Sequence, residues 1–246
     1  MAMLQALRAG LIDAIYPPRC MACTEATDAA QGLCPACWRD THFIAGPTCR
    51  KCGVPLIGAE ATDTCEGCTR HPPAWDRGAA ALVYAGAGRR MVLGLKHGDR
   101  LDMVRPLAGW MAAAGRELIE EAELVAPVPL HWIRLFRRRY NQSAELGRAL
   151  ARRTGRRFVP DLLTRRRATA PQGGGREARA ANQEGAFVLT RRHAGAVAGR
   201  RVLLVDDVMT SGATLSACAD VLRAGGAAGV DVLALARVAF EDSLGL

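Results

Sequence analysis

Cysteine spacing constrains this chain more than any other feature. Eight of its nine cysteines form four Cys-x-x-Cys pairs, and the two halves of this segment have similar internal gaps. Four thiolates suit tetrahedral Zn²⁺, and two such pairs supply them with little strain. The spacing therefore predicts a duplicated unit with two structural zinc ions, whose ligand sets are Cys20, Cys23, Cys34 and Cys37, and Cys49, Cys52, Cys65 and Cys68. A cross-braced pairing is the alternative.

Other uses of the cysteines need a different setting. Disulfides require an oxidising compartment, and a redox Cys-x-x-Cys normally occurs once rather than four times. The N-terminal segment 1–16 contains Asp13 and no small-residue cleavage site, so it is unlike a secretory signal, and its apolar residues predict a docking helix. No apolar run approaches the ~20 residues that cross a bilayer. We expect a cytoplasmic protein with no membrane span.

An α/β pattern follows the cysteine-rich segment, after a His-Pro-Pro sequence at 71–73. Helical segments, including a long amphipathic one over 103–119, alternate with apolar strand candidates at 79–84, 124–129, 202–205 and 230–236. This alternation predicts a mainly parallel sheet. The expected organisation is a docking helix at 1–16, a double zinc ribbon at 17–73 and an α/β domain at 74–246.

One segment of the α/β domain predicts an anion site. The apolar strand Val202–Val205 is expected to stop at Asp206 and Asp207, and small residues follow at 209–214, where a helix begins. Free backbone N–H groups and the positive end of a helix bind anions at such a position. The plainer alternative is a turn after a core strand.

The positive charge of the chain is concentrated in one stretch. The formal net charge is +9, but residues 131–201 contain 18 Arg or Lys and 4 Asp or Glu, a net charge of +14. This clustering predicts a polyanionic ligand, either phosphates or nucleic acid, with a solvated basic face as the alternative. Aromatic residues make up only 5% of the chain, which predicts that it has no platform for stacking bases.

The anion-site segment, VLLVDDVMTSGAT, closely resembles the phosphoribosyl pyrophosphate motif of type I phosphoribosyltransferases. Other elements occur in an order similar to that of the ComF family, whose members are associated with competence. These elements are the four Cys-x-x-Cys pairs, Leu95-Lys96-His97-Gly98, Pro127-Val128-Pro129, Asn141-Gln142 and Pro171-Gln172. The resemblance implies an α/β fold of the mainly parallel-sheet type I phosphoribosyltransferase kind, preceded by a small double zinc ribbon.

The resemblance also implies roles for individual residues. Asp206 and Asp207 would be the catalytic pair that holds the ribose hydroxyls of phosphoribosyl pyrophosphate. Mg²⁺ would bridge the pyrophosphate oxygens of this ligand. Its 5′-phosphate would be bound by Met209, Thr210, Ser211, Gly212, Ala213 and Thr214. Its pyrophosphate would lie beside Val128, Pro129 and Leu130, and Lys96 and Arg179 would be further phosphate contacts.

The function implied by the resemblance is binding of phosphoribosyl pyrophosphate, or a related phosphorylated ribose, with transfer of the phosphoribosyl group to an unknown acceptor. Two alternatives stay open at this point. One is a noncatalytic sensor of the phosphorylated ribose. The other is a module that binds DNA-uptake proteins or single-stranded DNA.

Overall fold

The structure is a computed structural model that describes residues 17–27, 31–56, 63–167 and 185–239. The predicted docking helix at 1–16 and Arg179 lie outside the described residues. The strands within these ranges are β1 (Arg77–Val83), β2 (Leu124–Pro127), β3 (Arg157–Phe158), β4 (Leu163–Arg165), β5 (Phe187–Leu189), β6 (Arg201–Met209) and β7 (Gly229–Arg237). The α-helices in the same ranges are α1 (Pro35–Arg39), α2 (Glu66–Arg70), α3 (Gly86–His97), α4 (Val104–Ala114), α5 (Arg116–Glu121), α6 (Trp132–Arg138), α7 (Gln142–Thr154), α8 (Ala194–Val197) and α9 (Ala213–Ala224).

Five strands form one sheet in the order β1-β7-β6-β2-β3, and every neighbouring pair is parallel. All nine residues of β7 are buried, as expected for a central strand whose two faces are both covered by other elements. The parallel sheet confirms the fold class predicted from the alternating pattern. Strands β4 and β5 form a separate antiparallel pair. Because the sheet is parallel, the carboxyl ends of its strands meet at one edge, where ligands of such folds bind.

Strand β6 is longer than the sequence predicts. It does not stop at Asp206 but continues to Met209, and its last residues pair with β7 at Ala236 and Arg237. The prediction was wrong here because hydrogen bonding to β7, which lies further along the chain, extends the strand beyond its apolar run. Both aspartates are therefore held in a rigid strand rather than in a turn.

The long helix expected over 103–119 is interrupted. A 3₁₀ turn at Leu101–Met103 precedes α4, and Gly115 separates α4 from α5. A Cβ atom at position 115 would lie 2.7 Å from a methyl carbon of Leu233 in β7, so a larger residue here would require the Leu233 side chain to move. The break therefore lies where the helix packs closely on the sheet.

The cysteine-rich segment packs directly on the edge of the sheet. Residues 42–44 run antiparallel to β1, with hydrogen bonds of 3.0 Å from Ile44 N to Ala81 O and 2.9 Å from Val83 N to His42 O. This contact covers an edge strand that would otherwise expose unpaired backbone groups. No helix within the described ranges is long and apolar enough to cross a membrane.

Candidate functional site

The eight paired cysteines form two clusters, and each has the dimensions of a zinc site. The clusters follow the sequential pairing, 20/23 with 34/37 and 49/52 with 65/68, and the sulfur atoms of each lie within 4.8 Å of one another. The Sγ atoms of Cys23 and Cys34 are 3.7 Å apart, as are those of Cys52 and Cys65. Tetrahedral Zn–S bonds of about 2.3 Å place neighbouring sulfurs about 3.8 Å apart. The residues therefore fit two structural zinc ions.

Backbone amides stabilise both clusters in the same way. Cys34 N donates to Cys20 Sγ at 3.3 Å, and Cys65 N donates to Cys49 Sγ at 3.2 Å. These equivalent contacts support the internal duplication that the spacing predicts. The ninth cysteine, Cys218, is fully buried on α9 and belongs to the core.

The two aspartates of β6 lie in different electrostatic settings. Asp206 Oδ1 accepts hydrogen bonds from Ser143 Oγ at 2.8 Å and from Asp207 N at 2.9 Å. Burial, reinforced by the charge of Asp207, raises the pKa of Asp206 to about 7, although the Ser143 hydrogen bond opposes the rise. Asp207 Oδ1 instead lies 3.2 Å from Lys96 Nζ, in a largely buried ion pair. The site thus contains one readily protonated carboxyl beside one paired carboxylate.

The raised pKa of Asp206 predicts a pH-dependent cost to stability. Because its folded pKa of about 7 exceeds the ordinary value of 3.8, the folded chain holds the proton between these values and loses stability as pH rises through this window. Asp206→Asn removes the ionisation, so we expect the variant to be more stable than the wild type by about 2–3 kcal/mol at pH 8. Thermal unfolding should show this difference shrinking towards pH 5. An equal difference at both pH values would contradict the prediction.

The loop between β6 and α9 has the form of an anion site. Gly212 is the N-cap of α9 with φ +78°, a left-handed conformation that glycine adopts without strain. Thr210, Ser211, Ala213 and Thr214 line a small cavity of about 100 Å³ together with Gly212 and Asp206. Met209, grouped with them from the sequence, also lines this cavity, although it ends β6 and is only 1% exposed. Its carbonyl accepts from Arg237 Nη1 at 3.1 Å.

The Val128-Pro129-Leu130 segment follows β2 at the same edge of the sheet. Val128 N donates to Val205 O at 2.9 Å, and Val128 and Pro129 are buried while Leu130 is partly exposed. The structure therefore brings this segment, Lys96 and the two aspartates to one edge.

Residues 140–143 hold these parts together, a role that was not predicted from the sequence. Asn141 Nδ2 donates to Val128 O at 2.9 Å, while Asn141 Oδ1 accepts from Ser143 N at 3.0 Å and caps α7. Tyr140 Oη and Gln142 Nε2 both donate to Leu95 O, the residue before Lys96, at 2.5 and 3.3 Å. The sequence carried two signals: Asn141 or Ser143 is expected to cap a helix through Ala151, which the structure confirms for Asn141, and Asn141-Gln142 is a family element.

Asn141 is expected to stabilise the fold through two separate hydrogen bonds: its Oδ1 caps α7, and its Nδ2 donates to Val128 O. Asn141→Ala should lower stability by about 1–2 kcal/mol because α7 loses its cap. Asn141→Ser keeps a capping oxygen but cannot reach Val128 O, so it should lose only that bond and be less destabilised than Asn141→Ala. Chemical denaturation of the three proteins checks this order. Equal losses for the two variants would contradict the division of roles.

Helix α6 carries an unexpected exposed aromatic face beside the site. Trp132 is 68% exposed and Phe136 is 85% exposed, one helical turn apart. The sequence predicted that no platform for stacking bases exists, and this pair corrects that prediction. His131 is buried, and its Nδ1 caps α6 by accepting from Ile133 N at 3.4 Å.

Comparisons with known proteins agree with this architecture. A model described as "Double zinc ribbon domain" matches residues 11–69, and one described as "Phosphoribosyl transferase domain" matches residues 123–240. DNA utilization protein YhgH of Escherichia coli K12 is 31% identical over 212 residues, which cover 84% of this chain and 90% of that protein. Competence protein F of Haemophilus influenzae Rd is 30% identical over 226 residues, which cover 89% and 96%.

Among solved structures, a phosphoribosylpyrophosphate synthetase from Mycobacterium smegmatis is 16% identical with a TM-score of 0.33. The match covers 57% of this chain and 35% of the synthetase. The two family models, together with the parallel sheet, confirm the predicted phosphoribosyltransferase fold with a preceding double zinc ribbon.

Proposed function

Because the chain belongs to the ComF family, we propose that it binds phosphoribosyl pyrophosphate at the carboxyl edge of its sheet and transfers the phosphoribosyl group to an acceptor. The observation that carries this proposal is the pair Asp206, which is partly buried, and Asp207, which is buried, near the end of β6, five residues before the left-handed N-cap Gly212. Vicinal hydroxyls need acceptors, and a phosphate needs N–H donors. A ribose 5-phosphate carries both kinds of group, and Asp206 lines the same small cavity as residues 210–214.

Each part of the site has a role in this proposal. The amides and hydroxyls of 210–214 bind the 5′-phosphate, and Asp206 and Asp207 accept from the ribose hydroxyls. The Val128-Pro129-Leu130 segment borders the pyrophosphate, and Mg²⁺, when bound, neutralises charge on its oxygens. Lys96 lies 3.2 Å from Asp207 and is within reach of a phosphate oxygen when that ion pair opens. Arg179, outside the described residues, is proposed as a further phosphate contact.

The reaction is a displacement at C1 of the ribose. The bond from C1 to the pyrophosphate oxygen breaks, and its electron pair leaves with pyrophosphate. A lone pair of the acceptor forms the new bond to C1, and the acceptor releases its proton. The carboxylates hold the ribose in place and supply negative charge near the cationic centre that develops at C1.

Calorimetric titration tests the binding step. Phosphoribosyl pyrophosphate with Mg²⁺ should bind more tightly than ribose 5-phosphate or pyrophosphate alone, because it engages both ends of the site. No binding of phosphoribosyl pyrophosphate to the wild type would overturn the proposal. Pyrophosphate release, measured in parallel, separates an enzyme from a sensor: binding without release in the presence of candidate acceptors would contradict the transfer step.

The exposed face of α6 favours a second candidate function, binding of single-stranded DNA or a DNA-uptake protein. Relatives are named for DNA utilization and competence, and α6 lies within the most basic stretch of the chain. Exposed aromatic side chains stack on bases, each for about 1–3 kcal/mol. Anisotropy of a labelled oligodeoxythymidine should show salt-dependent binding that weakens at least tenfold when Trp132 and Phe136 become alanine. Trp38→Ala, at a 56% exposed site on α1, is the matched control.

The remaining features complete the proposal. We place the protein in the cytoplasm, where eight reduced thiols can hold two zinc ions. The division into a docking helix at 1–16, a double zinc ribbon at 17–73 and a phosphoribosyltransferase-like domain at 74–246 is retained as part of it.

A further inference from the structure

Trp75 lies between the second zinc cluster and the proposed phosphate loop. It follows the His-Pro-Pro sequence and is 3% exposed, although it belongs to no helix or strand. Its indole Nε1 donates a 2.6 Å hydrogen bond to the carbonyl of Lys51, which stands between the ligands Cys49 and Cys52. One end of this side chain is therefore attached to the backbone of a zinc-binding turn.

The other end of the indole contacts the loop. A Cβ atom at Gly212 would lie 2.5 Å from Cη2 of Trp75, so the ring edge occupies the space where any side chain at 212 would begin. Residues beside Trp75 also contact α9. Arg223 Nε donates to Ala74 O at 2.8 Å, and Arg223 Nη2 to Asp76 Oδ1 at 2.5 Å. The ring thus packs against the N-terminus of α9. The residues on either side of Trp75 are hydrogen-bonded to Arg223, near the C-terminal end of the same helix.

The second zinc-binding turn is itself rigidly seated on the sheet. Gly78 N in β1 donates to Arg50 O at 2.9 Å. A Cβ atom at Gly53, where φ is +68°, would lie 2.8 Å from Ala80 N. Cys49, Cys52 and Cys68 belong to the same buried cluster as Trp75 and Leu215. The position of Lys51 O therefore depends on the zinc-held turn, and the position of the indole depends on Lys51 O.

We propose that Trp75 is a positioning residue through which the second zinc site fixes the conformation of the phosphate loop. The ring packs against Gly212, whose left-handed conformation begins α9, so it holds this end of the loop in place. The importance of this coupling for ligand binding rests on the proposed function, but the coupling itself is a property of the ligand-free chain.

The first zinc site provides an internal comparison because it contacts a different part of the fold. Arg90 Nη2, on α3, donates to Cys37 Sγ at 3.4 Å and to Asp40 Oδ2 at 2.9 Å. Cys20 and Cys37 form a separate small buried cluster with Ala87. Loss of the first site should therefore leave the loop between β6 and α9 unaffected.

Hydrogen exchange of the ligand-free chain tests the coupling. Trp75→Phe keeps an aromatic side chain but loses the indole N–H and the ring edge that contacts Gly212, so amides of 210–214 should exchange about tenfold faster, as expected for a loss of roughly 1.4 kcal/mol. Trp110→Phe, which alters a tryptophan packed on Phe43 at 5.0 Å, should leave them unchanged. Cys65→Ser, which removes a ligand of the second zinc ion, should accelerate exchange of these amides by at least as much, and the equivalent Cys34→Ser should leave them unchanged. Unchanged loop exchange in both Trp75→Phe and Cys65→Ser would overturn the proposal.

Affinity for phosphoribosyl pyrophosphate provides the functional readout. Trp75→Phe with its full zinc content should bind this ligand about tenfold more weakly than the wild type. Faster loop exchange in a wild type that binds no ligand would support the coupling while rejecting the proposed function. A ligand-binding wild type with the same affinity as Trp75→Phe would overturn the positioning role and leave the proposed function intact.

Discussion

Removing the zinc ion held by Cys49, Cys52, Cys65 and Cys68 is expected to destabilise the whole described α/β region by at least about 5 kcal/mol. Structural zinc provides about 10–16 kcal/mol of folding free energy in small zinc modules. Three of these four cysteines belong to the main buried cluster, so loss of the ion also uncovers core residues such as Trp75. Cys49→Ser should therefore bind one zinc ion fewer and unfold at a much lower temperature.

Cys20→Ser is the matched control for this prediction. It removes the equivalent ligand from the first site, whose small cluster is separate from the main core. We expect it to lose one zinc ion as well, but with a smaller effect on thermal unfolding of the α/β region. Metal analysis and calorimetric unfolding of both variants check the prediction. Equal decreases in unfolding temperature would contradict the unequal roles of the two sites.

Replacing Asp206 and Asp207 together with asparagine is expected to reduce affinity for phosphoribosyl pyrophosphate by at least a hundredfold. A hydrogen bond to a charged group contributes about 1.5–3 kcal/mol, and at pH 8, above the pKa of about 7 of Asp206, asparagine replaces charged acceptors with weaker neutral amide oxygens. The substitutions preserve side-chain shape and remove the raised pKa of Asp206, so the fold should persist. Calorimetric titration of the variant and the wild type with Mg²⁺ present measures the loss.

Asp220→Asn is the control for general charge effects. This residue is exposed on α9, away from the carboxylate pair, and its change should alter affinity less than twofold. A double variant at 206 and 207 that binds as tightly as the wild type would remove the aspartates from the site. A similar loss in Asp220→Asn would indicate that net charge, rather than specific contacts with the ribose, controls affinity.

Features encoded within short segments were predictable from the sequence. The zinc ligands follow from spacing, because two Cys-x-x-Cys turns supply a complete tetrahedral set, and the structure then groups them in sequential rather than cross-braced pairs. The helix Ala213–Ala224 also has the expected bounds, since its glycine-rich boundaries are local signals. In both cases the residues that determine the structure lie close together in the chain.

Features that depend on distant contacts were not predictable. The extension of β6 beyond Val205 requires its ladder with β7, and the break at Gly115 lies where the helix packs against Leu233. The hydrogen bond from Ser143 to Asp206 joins residues 63 apart in sequence, and the one from Tyr140 to Leu95 joins residues 45 apart. A single sequence carries no signal for such contacts until the topology is known.

Composition likewise does not show which aromatic residues are exposed. The low aromatic content predicted that the chain has no platform for stacking bases, and Trp75 is indeed buried. Trp132 and Phe136 instead project from α6. Their exposure depends on which helical face meets the sheet, and α6 is too short for its pattern to decide this.

The central claim is that the loop at 210–214 binds the 5′-phosphate of phosphoribosyl pyrophosphate. The most direct measurement is a titration of the ¹⁵N-labelled chain with this ligand and Mg²⁺, following the backbone amide resonances. We expect the largest shifts at the amides of Ser211, Gly212, Ala213 and Thr214, and we expect these shifts to saturate together. Ribose 5-phosphate should shift the same amides. Shifts confined to α6 or to the zinc ribbon, or no shifts at saturating ligand, would contradict it.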